Sequence, residues 1–396
     1  MADPGGKQRA TAPLLKTLNE RAVLETIRAA APISRAEVSR RAGISKPTVS
    51  LALRSLVDAG LVREVAHDPG GPSYGAVFFE PVHEAALVLG LDVGGRYLRG
   101  AVCDLAGEIR ARQDVELRDA DVERVLDLVV DLRRSLVAAS GVERPTLDGI
   151  VVGVPGVVRR ESGTIELAGG VGGLGTRAIG EELRERLDQP VRLENDVNLA
   201  AIGERWQGVA SGVDDFAFLS IGTGVGAGLV LRGELHRGHH GAAGEIDLAF
   251  AGLGDAADPC ASAISRLAAE RAGERSSRLA APYEVREVFA AARAGDAVAG
   301  EIVTEVALRI ARNIAPLAAV ADVSLVVLGG GIGANGDLLL APIREQLAQI
   351  TPYPPRVEVS SLGEAAVLAG ALWVGLRAAL DNVFVNRMPG ALPSPA

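Results

Sequence analysis

The sequence predicts an α/β protein in which a small helical head precedes a two-lobed body. Residues 14–60 carry apolar side chains at helical spacing, in three runs separated by Pro32 and Gly43. From residue 86 onward, a strand, a turn and a second strand precede a helix, and this order occurs twice. The repetition indicates an α/β fold with two lobes.

Charge is distributed unevenly along the chain. The 396 residues together carry a charge of −9, which argues against binding nucleic acid or membrane over the whole surface. Between Lys7 and Glu64, however, there are eleven Lys and Arg against five Asp and Glu, a local charge of +6 that leaves −15 for the remainder. A basic head on an acidic body is typical of a nucleic-acid-binding module joined to another domain, with chance clustering as the alternative.

Length and composition limit the possibilities further. A chain of 396 residues, 48% of them hydrophobic, can form two or three domains with large cores. Its two cysteines, Cys103 and Cys260, lie far apart in sequence and indicate a reducing compartment without a disulfide framework. There is no charged leader and no apolar run of about 18 residues, so we expect a soluble cytoplasmic protein with no membrane partner.

Capping residues mark the helices of the head. Ser34, with Glu37 three residues later, is typical of a capping box before a short helix that ends at Gly43. Ser45 should cap a third helix that ends at Gly60, with Pro47 in its first turn. The apolar side of this helix should comprise Val49, Leu51, Leu53, Leu56 and Val57. Two strand-like runs around residues 68–72 then predict a wing hairpin.

The head therefore resembles a winged helix-turn-helix, whose third helix lies in the major groove of double-stranded DNA. The N-terminal residues of that helix come nearest the bases, and we expect these contacts from Ser45, Lys46, Thr48 and Ser50. Phosphate contacts, which position the protein without specifying sequence, should come from Arg35, Arg40 and Arg54. The alternative is a small helical domain that binds protein.

The chain divides into predicted segments by these patterns. Residues 1–13 should form a mobile N-terminus, residues 14–80 the winged helix-turn-helix, residues 81–85 a linker and residues 86–396 the body. Within the body, lobe 1 should span about 86–197 together with the C-terminal helix, and lobe 2 about 198–363. A tail after Asn386 contains prolines and is expected to be disordered.

One stretch, residues 192–228, combines an acid with a glycine-rich turn. An apolar strand ends at Glu194, Asn195 and Asp196, where a carboxylate can face a crevice instead of the core. After a helix and a second strand, the sequence GTGVGAG at 222–228 leaves backbone N–H groups free to approach an anion. A carboxylate and an anion cradle are the parts that a phosphoryl-transfer site needs. These glycines could equally be hairpin and crossover turns alone.

Five motifs in order resemble the ROK family, which comprises repressors and sugar kinases of the actin-like ATPase superfamily. They are DVGG at 92–95, GVPG at 153–156, ENDVNLAAIGE at 194–204, GTGVGAG at 222–228 and GGGIG at 329–333. Behind a winged helix-turn-helix they indicate the repressor branch, and the resemblance covers residues 14–380. It implies a body of two ribonuclease-H-like lobes with a sugar and ATP bound in the cleft between them.

The resemblance also implies roles for individual residues. Asp196 matches the general base that removes a proton from a sugar hydroxyl, and Asn195 and Glu245 match ligands of the sugar. The phosphate and nucleotide motifs match Asp92, Gly94, Gly95, Gly222, Thr223, Gly224, Gly329, Gly330 and Gly331.

Several positions depart from the family pattern. Arg96 stands where the kinases have Thr after the two glycines, and Gly71-Pro72-Ser73 replaces the Gly-Arg-Pro of many family wings. The family's zinc ligands are replaced, since Leu248 stands where a His is expected and Cys260 is the one cysteine downstream; zinc, which needs about four ligands, is therefore predicted to be absent. The same Leu248, and residues 168–171 in place of a sugar-binding Asn, remove polar groups from the ligand pocket.

We therefore expect a DNA-binding transcriptional regulator of the repressor type, acting as a homodimer or a dimer of dimers. A sugar or sugar derivative should close the lobes and so change the spacing of the heads on the operator. The alternative is an ATP-dependent sugar kinase with a DNA-binding head, in which case Asp196 is catalytic and ATP and Mg²⁺ are cofactors. A third possibility is a regulator that needs no ligand.

Overall fold

The computed structural model describes residues 12–66, 77–117, 121–142, 147–159, 162–167, 173–250, 257–274 and 277–387. The helices are α1 (Ala12–Ala30), α2 (Arg35–Ala42), α3 (Lys46–Asp58), α4 (Val122–Ala139), α5 (Ile179–Leu187), α6 (Asp196–Gln207), α7 (Ala261–Glu274), α8 (Val285–Arg293), α9 (Ala297–Ala321), α10 (Gly330–Gly333), α11 (Gly336–Ile350) and α12 (Ala366–Arg387). The strands are β1 (Ile33–Ser34), β2 (Val62–Val65), β3 (Phe78–Pro81), β4 (Leu87–Val93), β5 (Tyr97–Asp104), β6 (Ile109–Glu116), β7 (Gly149–Val154), β8 (Val157–Val158), β9 (Ile165–Glu166), β10 (Arg192–Asn195), β11 (Phe216–Ile221), β12 (Val225–Leu231), β13 (Glu234–His236), β14 (Leu325–Gly329) and β15 (Arg356–Val359).

The head consists of α1–α3 and a small sheet in the order β1-β3-β2. The hydroxyl of Ser34 accepts a hydrogen bond from the backbone N–H of Glu37, and the hydroxyl of Ser45 accepts one from that of Thr48, so both predicted N-caps are present. The carboxylate of Glu37 bonds instead to two arginines of its own helix, Arg40 and Arg41. Strands β2 and β3 pair in antiparallel register, while the turn predicted at residues 68–72 lies outside the described residues.

The predicted apolar side of α3 was partly wrong. Its buried residues are Val49, Ala52, Leu53 and Leu56, whereas Leu51 is 63% exposed and Val57 is 36% exposed. Helical geometry explains the difference, because a residue two positions from Val49 is rotated by about 200° and faces away from the core. On α1, Leu15 and Leu18 are likewise exposed, although both were counted in its apolar periodicity.

The body contains two five-stranded sheets of the same mixed design. The first has the order β10-β7-β4-β5-β6, and the second has the order β13-β12-β11-β14-β15. Each combines parallel strands with an antiparallel meander. The repeated strand-turn-strand pattern of the sequence therefore corresponds to two related sheets, and the predicted α/β class is confirmed.

Two features of the second sheet were not predicted. The glycine run at 222–228 is turn only at its start, because Val225 already begins β12 and Gly228 lies inside it. The two edge strands, β13 and β15, were not predicted. Both are short, at three and four residues, and each pairs with one neighbouring strand, β13 with β12 and β15 with β14.

Helices α6 and α12 pack against each other and connect the two sheets. Helix α12 contacts β4 and β7 of the first sheet, and α6 contacts β11 and β12 of the second. A Cβ on Gly203 would lie 2.2 Å from the carbonyl oxygen of Ala366, and one on Gly370 would lie 1.9 Å from that of Leu199. The helix axes can therefore approach this closely only because both positions are glycine.

The segment Gly363–Asn382 is long and apolar enough to cross a membrane by length and composition. The sequence analysis did not recognise this run. More than half of it, 56%, is buried within the protein, against α6 and the first sheet. Its apolar composition is accounted for by this position as a core helix.

One hydrophobic core extends from the head into the body. Ile27 and Leu56 of the head belong to the same buried cluster as Cys103 of β5 and Leu372 and Leu376 of α12. The Nε of Arg28 donates a hydrogen bond to the carbonyl oxygen of Leu105 at 2.6 Å. The segment at 81–85 ends in a 3₁₀ helix (His83–Ala85), in which Ala85 is buried. The head therefore packs directly on the first sheet and on α12.

Candidate nucleic-acid interface and ligand cleft

The first turn of α3 presents the four residues expected to contact bases. Ser45 and Lys46 are exposed, and Thr48 and Ser50 are partly exposed. The hydroxyl groups of Ser45 and Thr48 lie 2.8 Å apart, and the Ser50 hydroxyl donates to the carbonyl oxygen of Lys46 at 2.9 Å. These local bonds fix the hydroxyl positions on the helix and leave acceptor lone pairs for a base edge.

The three arginines expected to contact phosphates are all exposed, but their surroundings differ. Arg35 lies beside α3, with its guanidinium 3.4 Å from the hydroxyl of Ser50, and Arg54 projects from α3. Arg40 is held by Glu37, which also binds Arg41 at 2.6 Å. Hydrogen bonds from these two guanidinium groups lower the pKa of Glu37 to about 2. Arg40 must therefore release Glu37 before it can bind a phosphate with its full charge.

Leu51 is a further candidate for DNA contact that the sequence analysis missed. Its side chain is 63% exposed on α3, where it follows Ser50. An apolar side chain on a recognition helix can contact the C5-methyl group of thymine in the major groove. The helical spacing from buried Val49 could have revealed this exposure.

The second candidate site, here called the Asp196 site, comprises Asp92, Asp196 and Glu245. Asp92 lies near the carboxyl end of β4, and Asp196 follows β10, which joins β4 through β7 in parallel register. Glu245 follows Gly244, whose carbonyl oxygen accepts a hydrogen bond from Ala227 of β12 at 2.7 Å. Ligands of open α/β sheets bind at the carboxyl ends of their strands, which is where these carboxylates meet.

Asp196 is partly buried at the first position of α6. Its Oδ1 accepts hydrogen bonds from the backbone N–H of Val197 at 2.8 Å and from the side-chain amide of Asn195 at 3.3 Å. Burial raises the pKa of Asp196 to about 7, and the negative charges of Asp92 and Glu245 add to this effect. A carboxylate that titrates near neutral pH is suited to accept a proton or a hydrogen bond from a hydroxyl group.

Asn195 has a structural role as the N-cap of α6. Its Oδ1 accepts a hydrogen bond from the N–H of Asn198 at 2.9 Å, and its amide nitrogen donates to the carbonyl oxygen of Gly156 at 3.0 Å. The side chain therefore ties the GVPG turn to the start of α6. One lone pair on Oδ1 remains available to the ligand that the resemblance implies.

The cation next to Asp92 is Arg99, which the sequence analysis did not single out. Its guanidinium lies 3.4 Å from Asp92, 3.6 Å from Asp114 and 2.8 Å from Glu364. Burial still raises the pKa of Asp92 to about 6, because it outweighs the attraction of Arg99. Arg96, the departure noted in the sequence, is exposed, and its guanidinium lies 3.6 Å from Glu116.

The glycine motifs lie in turns at the ends of the strands. Gly94 and Gly95 connect β4 to β5, and the N–H of Gly94 donates to the carbonyl oxygen of Tyr97. Gly222, exposed Thr223 and Gly224 connect β11 to β12, and there is open space where side chains of the two glycines would be. Backbone N–H groups can therefore be approached closely at this turn, as an anion requires.

The third glycine motif follows β14, which pairs with β11 so that Gly329 faces Ser220. Gly329 packs on the ring of Phe218, and Gly331 borders open space. Gly330 has φ +75°, and a Cβ there would lie 2.3 Å from the carbonyl oxygen of Ile221. The 222–224 and 329–331 turns thus lie side by side at the ends of two parallel strands.

A second missed residue is Arg237, which links the two sheets. It follows β13, and both its Nε and one terminal nitrogen donate to Oε2 of buried Glu194 on β10, at 2.9 and 2.7 Å. Glu194 also accepts from the amide of Asn198 at 3.2 Å. The ion pair connects residues 43 positions apart, a separation that sequence patterns do not reveal.

The residues near the expected zinc position do not fit a zinc ion. Leu248 is 59% exposed, and the thiol of buried Cys260 lies 2.9 Å from Asp258. Within the described ranges, no group of three or more His, Cys, Asp or Glu side chains is placed to hold a metal. Residues 168–171, which replace the family's sugar-binding Asn, lie outside the description.

Comparisons with known proteins match both parts of the chain. The ROK family model matches residues 88–377, and a winged helix-turn-helix DNA-binding model matches residues 17–63. The xylose repressor of Caldicellulosiruptor bescii is 27% identical over 383 residues, which is 91% of this chain and 95% of the relative. A glucokinase of Streptomyces coelicolor is 30% identical over 311 residues, which is 72% of this chain and 96% of the relative.

Solved structures share the same fold. A ROK family transcriptional regulator, described as a homolog of the E. coli MLC protein, superposes with a TM-score of 0.75 at 23% identity and covers 94% of this chain and 98% of its own. A ROK family glucokinase from Streptomyces griseus, solved in complex with glucose and AMPPNP, gives a TM-score of 0.62 at 27% identity. That match covers 74% of this chain and 100% of the glucokinase.

Proposed function

The chain belongs to the ROK family and is a sugar-responsive DNA-binding repressor, and we propose that a sugar bound at the Asp196 site controls operator binding by the head. The observation that carries this proposal is the continuous path of packed structure between the two places. Asp196 is the first residue of α6, α6 packs along α12, and α12 shares one buried core with α1 and α3.

The path gives a physical means of regulation. A ligand at the Asp196 site would contact carboxylates from both sheets, Asp92 and Asp196 from the first and Glu245 from the second. A ligand can shift a conformational equilibrium only if it binds one state better than the other. A ligand that contacts both sheets would bind better when the sheets lie at the right distance from each other, and this supplies the difference in affinity between two states. A changed angle between α6 and α12 would then move the head.

The effector we propose is a neutral sugar, with xylose as the first candidate because several relatives are xylose repressors. Carboxylate oxygens accept hydrogen bonds from sugar hydroxyl groups, and the negative charge of the clustered carboxyl groups would repel an anionic ligand. Asn195, Asp196 and Glu245 are the residues that we expect to touch it.

We further propose that Ser45, Lys46, Thr48 and Ser50 read base edges, that Arg35, Arg40 and Arg54 bind phosphates, and that two chains act together. Proteins with this motif commonly read two half-sites one helical turn apart or more. Operator binding of this kind would require a location in the cytoplasm.

The kinase alternative rests on the glycine turns. Gly222, Gly224 and Gly331 border open space, so nucleotide phosphates could approach their backbones, and Asp196 could act as the general base. ATP supplies a phosphoryl group when bound, and Mg²⁺ would neutralise its charge. Against this activity, the carboxylate of Asp92 is already paired with the guanidinium of Arg99.

Operator binding and its response to sugar test the proposal directly. Purified protein is titrated against fluorescent promoter fragments in the presence and absence of xylose, and against a sugar panel with ATP in a coupled turnover assay. We expect salt-sensitive, sequence-dependent binding that a sugar weakens, and negligible ATP consumption. Sugar-dependent ATP consumption that Asp196→Ala abolishes, without preference for any promoter, would establish the kinase instead. DNA binding that no sugar alters would leave a regulator without a ligand.

A further inference from the structure

A cavity of about 800 Å³ lies away from the Asp196 site, at the other end of α6. It is enclosed by α6 on one side, by α12 on another and by the β12–β13 hairpin. The α6 residues that line it, Ile202, Arg205 and Trp206, follow Asp196 by six to ten positions, or about 9–15 Å along the helix. A ligand here would therefore occupy a different space from one bound at Asp196.

The cavity contains both tryptophans of the chain, Trp206 and Trp373. Each indole is partly exposed, and the guanidinium of Arg377 lies over the ring of Trp373, 4.9 Å from its centroid. Aromatic residues make up only 3% of the sequence. Two indole faces in one solvent-accessible cavity provide surfaces on which a ring can stack.

The remaining walls are rich in arginine. Arg192, Arg205, Arg237 and Arg377 line the cavity, with Glu234 and Asp381 as the acidic residues. Asp381 already forms an ion pair with Arg21. Arg237 is already held by Glu194 and Arg205 by Asp214, so Arg377 is the cation most available to an anionic ligand.

Two of these arginines have unused donors. The Nε of Arg205 is buried without a hydrogen-bond partner in the described part of the chain, although its terminal nitrogen binds Asp214 at 3.0 Å. Arg377 is exposed, and its guanidinium lies over the ring of Trp373. A buried donor without a partner carries a free-energy cost, and an exposed guanidinium can bind an anion through charge-assisted hydrogen bonds.

From these observations we infer that the cavity is a second ligand site, which binds a small organic phosphate whose ring stacks on tryptophan. Guanidinium groups match the geometry of phosphate oxygens, and indole faces match the apolar face of a sugar or base ring. The volume is within the range of about 300–1,000 Å³ that small-molecule sites occupy. A sugar phosphate and a nucleotide share this chemistry, and the test distinguishes them.

The position of the cavity suggests a consequence that rests on the proposed function. Its walls include β13 of the second sheet and the segment of α12 that ends at Asp381, next to α1 of the head. A bound phosphate would hold these elements together. Its occupancy would then alter the response of operator binding to the sugar at Asp196.

Intrinsic tryptophan fluorescence tests the site on the full chain without DNA, so its result is independent of the repressor function. Both tryptophans line the cavity, and no others contribute. Glucose 6-phosphate, AMP, inorganic phosphate and glucose are titrated in turn at low salt. We expect a saturable change with at least one organic phosphate, and binding at least tenfold weaker for inorganic phosphate and for glucose.

Variants locate the binding. Arg377→Met keeps the aliphatic part of an exposed side chain and should weaken binding of the organic phosphate at least tenfold. Arg205→Met should have the same effect. Arg286→Met, at an exposed side chain of α8, is the matched control and should bind as the unaltered protein does. Asp196→Asn should also bind normally. Circular dichroism and thermal melting show whether each variant is folded, and Trp373→Phe, which keeps an aromatic face, provides a second variant with Trp206 as reporter.

Three results would overturn the inference. The first is the absence of any saturable change with both organic phosphates. The second is binding that Asp196→Asn abolishes while Arg377→Met and Arg205→Met leave it intact, which would place the ligand at the Asp196 site. The third is equal affinity for inorganic and organic phosphate, which would mean that the arginines attract anions without a ring-binding surface.

Discussion

Arg21 of α1 and Asp381 of α12 form an ion pair across 360 positions of sequence. It joins the first helix of the head to the last helix of the body, beside the core that both helices share. Their side chains are 20% and 38% exposed, so the pair lies at the edge of that core. It is a polar contact, beside the shared core, through which a movement of α12 would reach the head.

Breaking this pair should reduce regulation more than stability. Arg21→Glu places two like charges together, and we expect the ratio of operator Kd values with and without effector to fall severalfold. A partly exposed pair contributes only about 1 kcal/mol or less to stability. Titration of a promoter fragment with and without sugar measures the ratio, and chemical denaturation measures the stability.

The reversed pair serves as the test of mechanism. Arg21→Asp combined with Asp381→Arg should restore most of the response, because the attraction is recovered with opposite polarity. Arg63→Met removes an ion pair with Glu80 that lies wholly within the head, and it should leave the ratio unchanged. An unaltered ratio in Arg21→Glu would show that the shared hydrophobic core transmits the movement by itself.

Glu37 restrains the affinity of the head for DNA. Its carboxylate holds Arg40 and Arg41, which would otherwise face the phosphates with full charge. Glu37→Gln should therefore strengthen binding to all DNA sequences and steepen the salt dependence by about one counterion. Anisotropy titrations at several salt concentrations measure this slope.

The matched control for Glu37→Gln is Glu25→Gln on α1. It also removes one negative charge from the head, but the cation near Glu25 is Arg28, which donates a hydrogen bond to the carbonyl oxygen of Leu105 in the body. A similar gain in both variants would assign the effect to net charge instead of to the release of the two arginines.

Local signals in the sequence were sufficient for much of this structure. Ser34 and Ser45 mark helix starts because a cap depends on residues within one turn, and Asp196 was located by the change from strand to helix. Arg99 and Arg237 could not be found in this way. Their roles depend on partners such as Glu364, 265 positions away, or on Glu194 in the other sheet. The same limit applies to β15, whose place depends on pairing with β14.

Base contacts and phosphate contacts should respond differently to mutation. Arg54→Gln should weaken binding to every DNA fragment by a similar factor, since a phosphate contact carries no sequence information. It should also reduce the slope of log affinity against log salt concentration by about 1. Thr48→Val, which keeps the shape of the side chain, should change the preferred base pair at one position by about 1–3 kcal/mol. Selection from randomised fragments, followed by titration of the selected sites, separates the two effects.

Leu51 provides a third case in the same experiment. Leu51→Ala removes an exposed side chain, so the free energy of unfolding should change little, while a preference for thymine at one position should decrease. A large loss of stability would indicate that Leu51 packs on structure beyond the described residues. No change in selected sequence for Thr48→Val, Lys46→Ala and Leu51→Ala together would contradict the placement of α3 in the major groove.

The Asp196 carboxyl group makes stability depend on pH. Its folded-state pKa of about 7 lies above the ordinary value of 3.8, so the protonated form is favoured by folding. Its contribution to stability is complete below about pH 3.8 and is lost as the pH rises from there to about 7. Asp196→Asn remains neutral, and its gain in stability over the unaltered protein should be clearly smaller at pH 5 than at pH 8, where it should be about 1–3 kcal/mol.

Chemical denaturation at pH 5 and pH 8 measures this difference. The solvent-accessible surface of Asp196 shows that it is partly exposed, which sets the expected gain below the roughly 4 kcal/mol that the full pKa difference would give. Asp247→Asn, at an exposed carboxylate near Glu245, is the control and should show little change between the two pH values. The same Asp196→Asn protein should bind the effector sugar more weakly at pH 8, because an ionised carboxylate accepts stronger hydrogen bonds than an amide oxygen. A stability gain that is equal at both pH values would mean that Asp196 titrates near its ordinary value and is not prepared to exchange a proton at neutral pH.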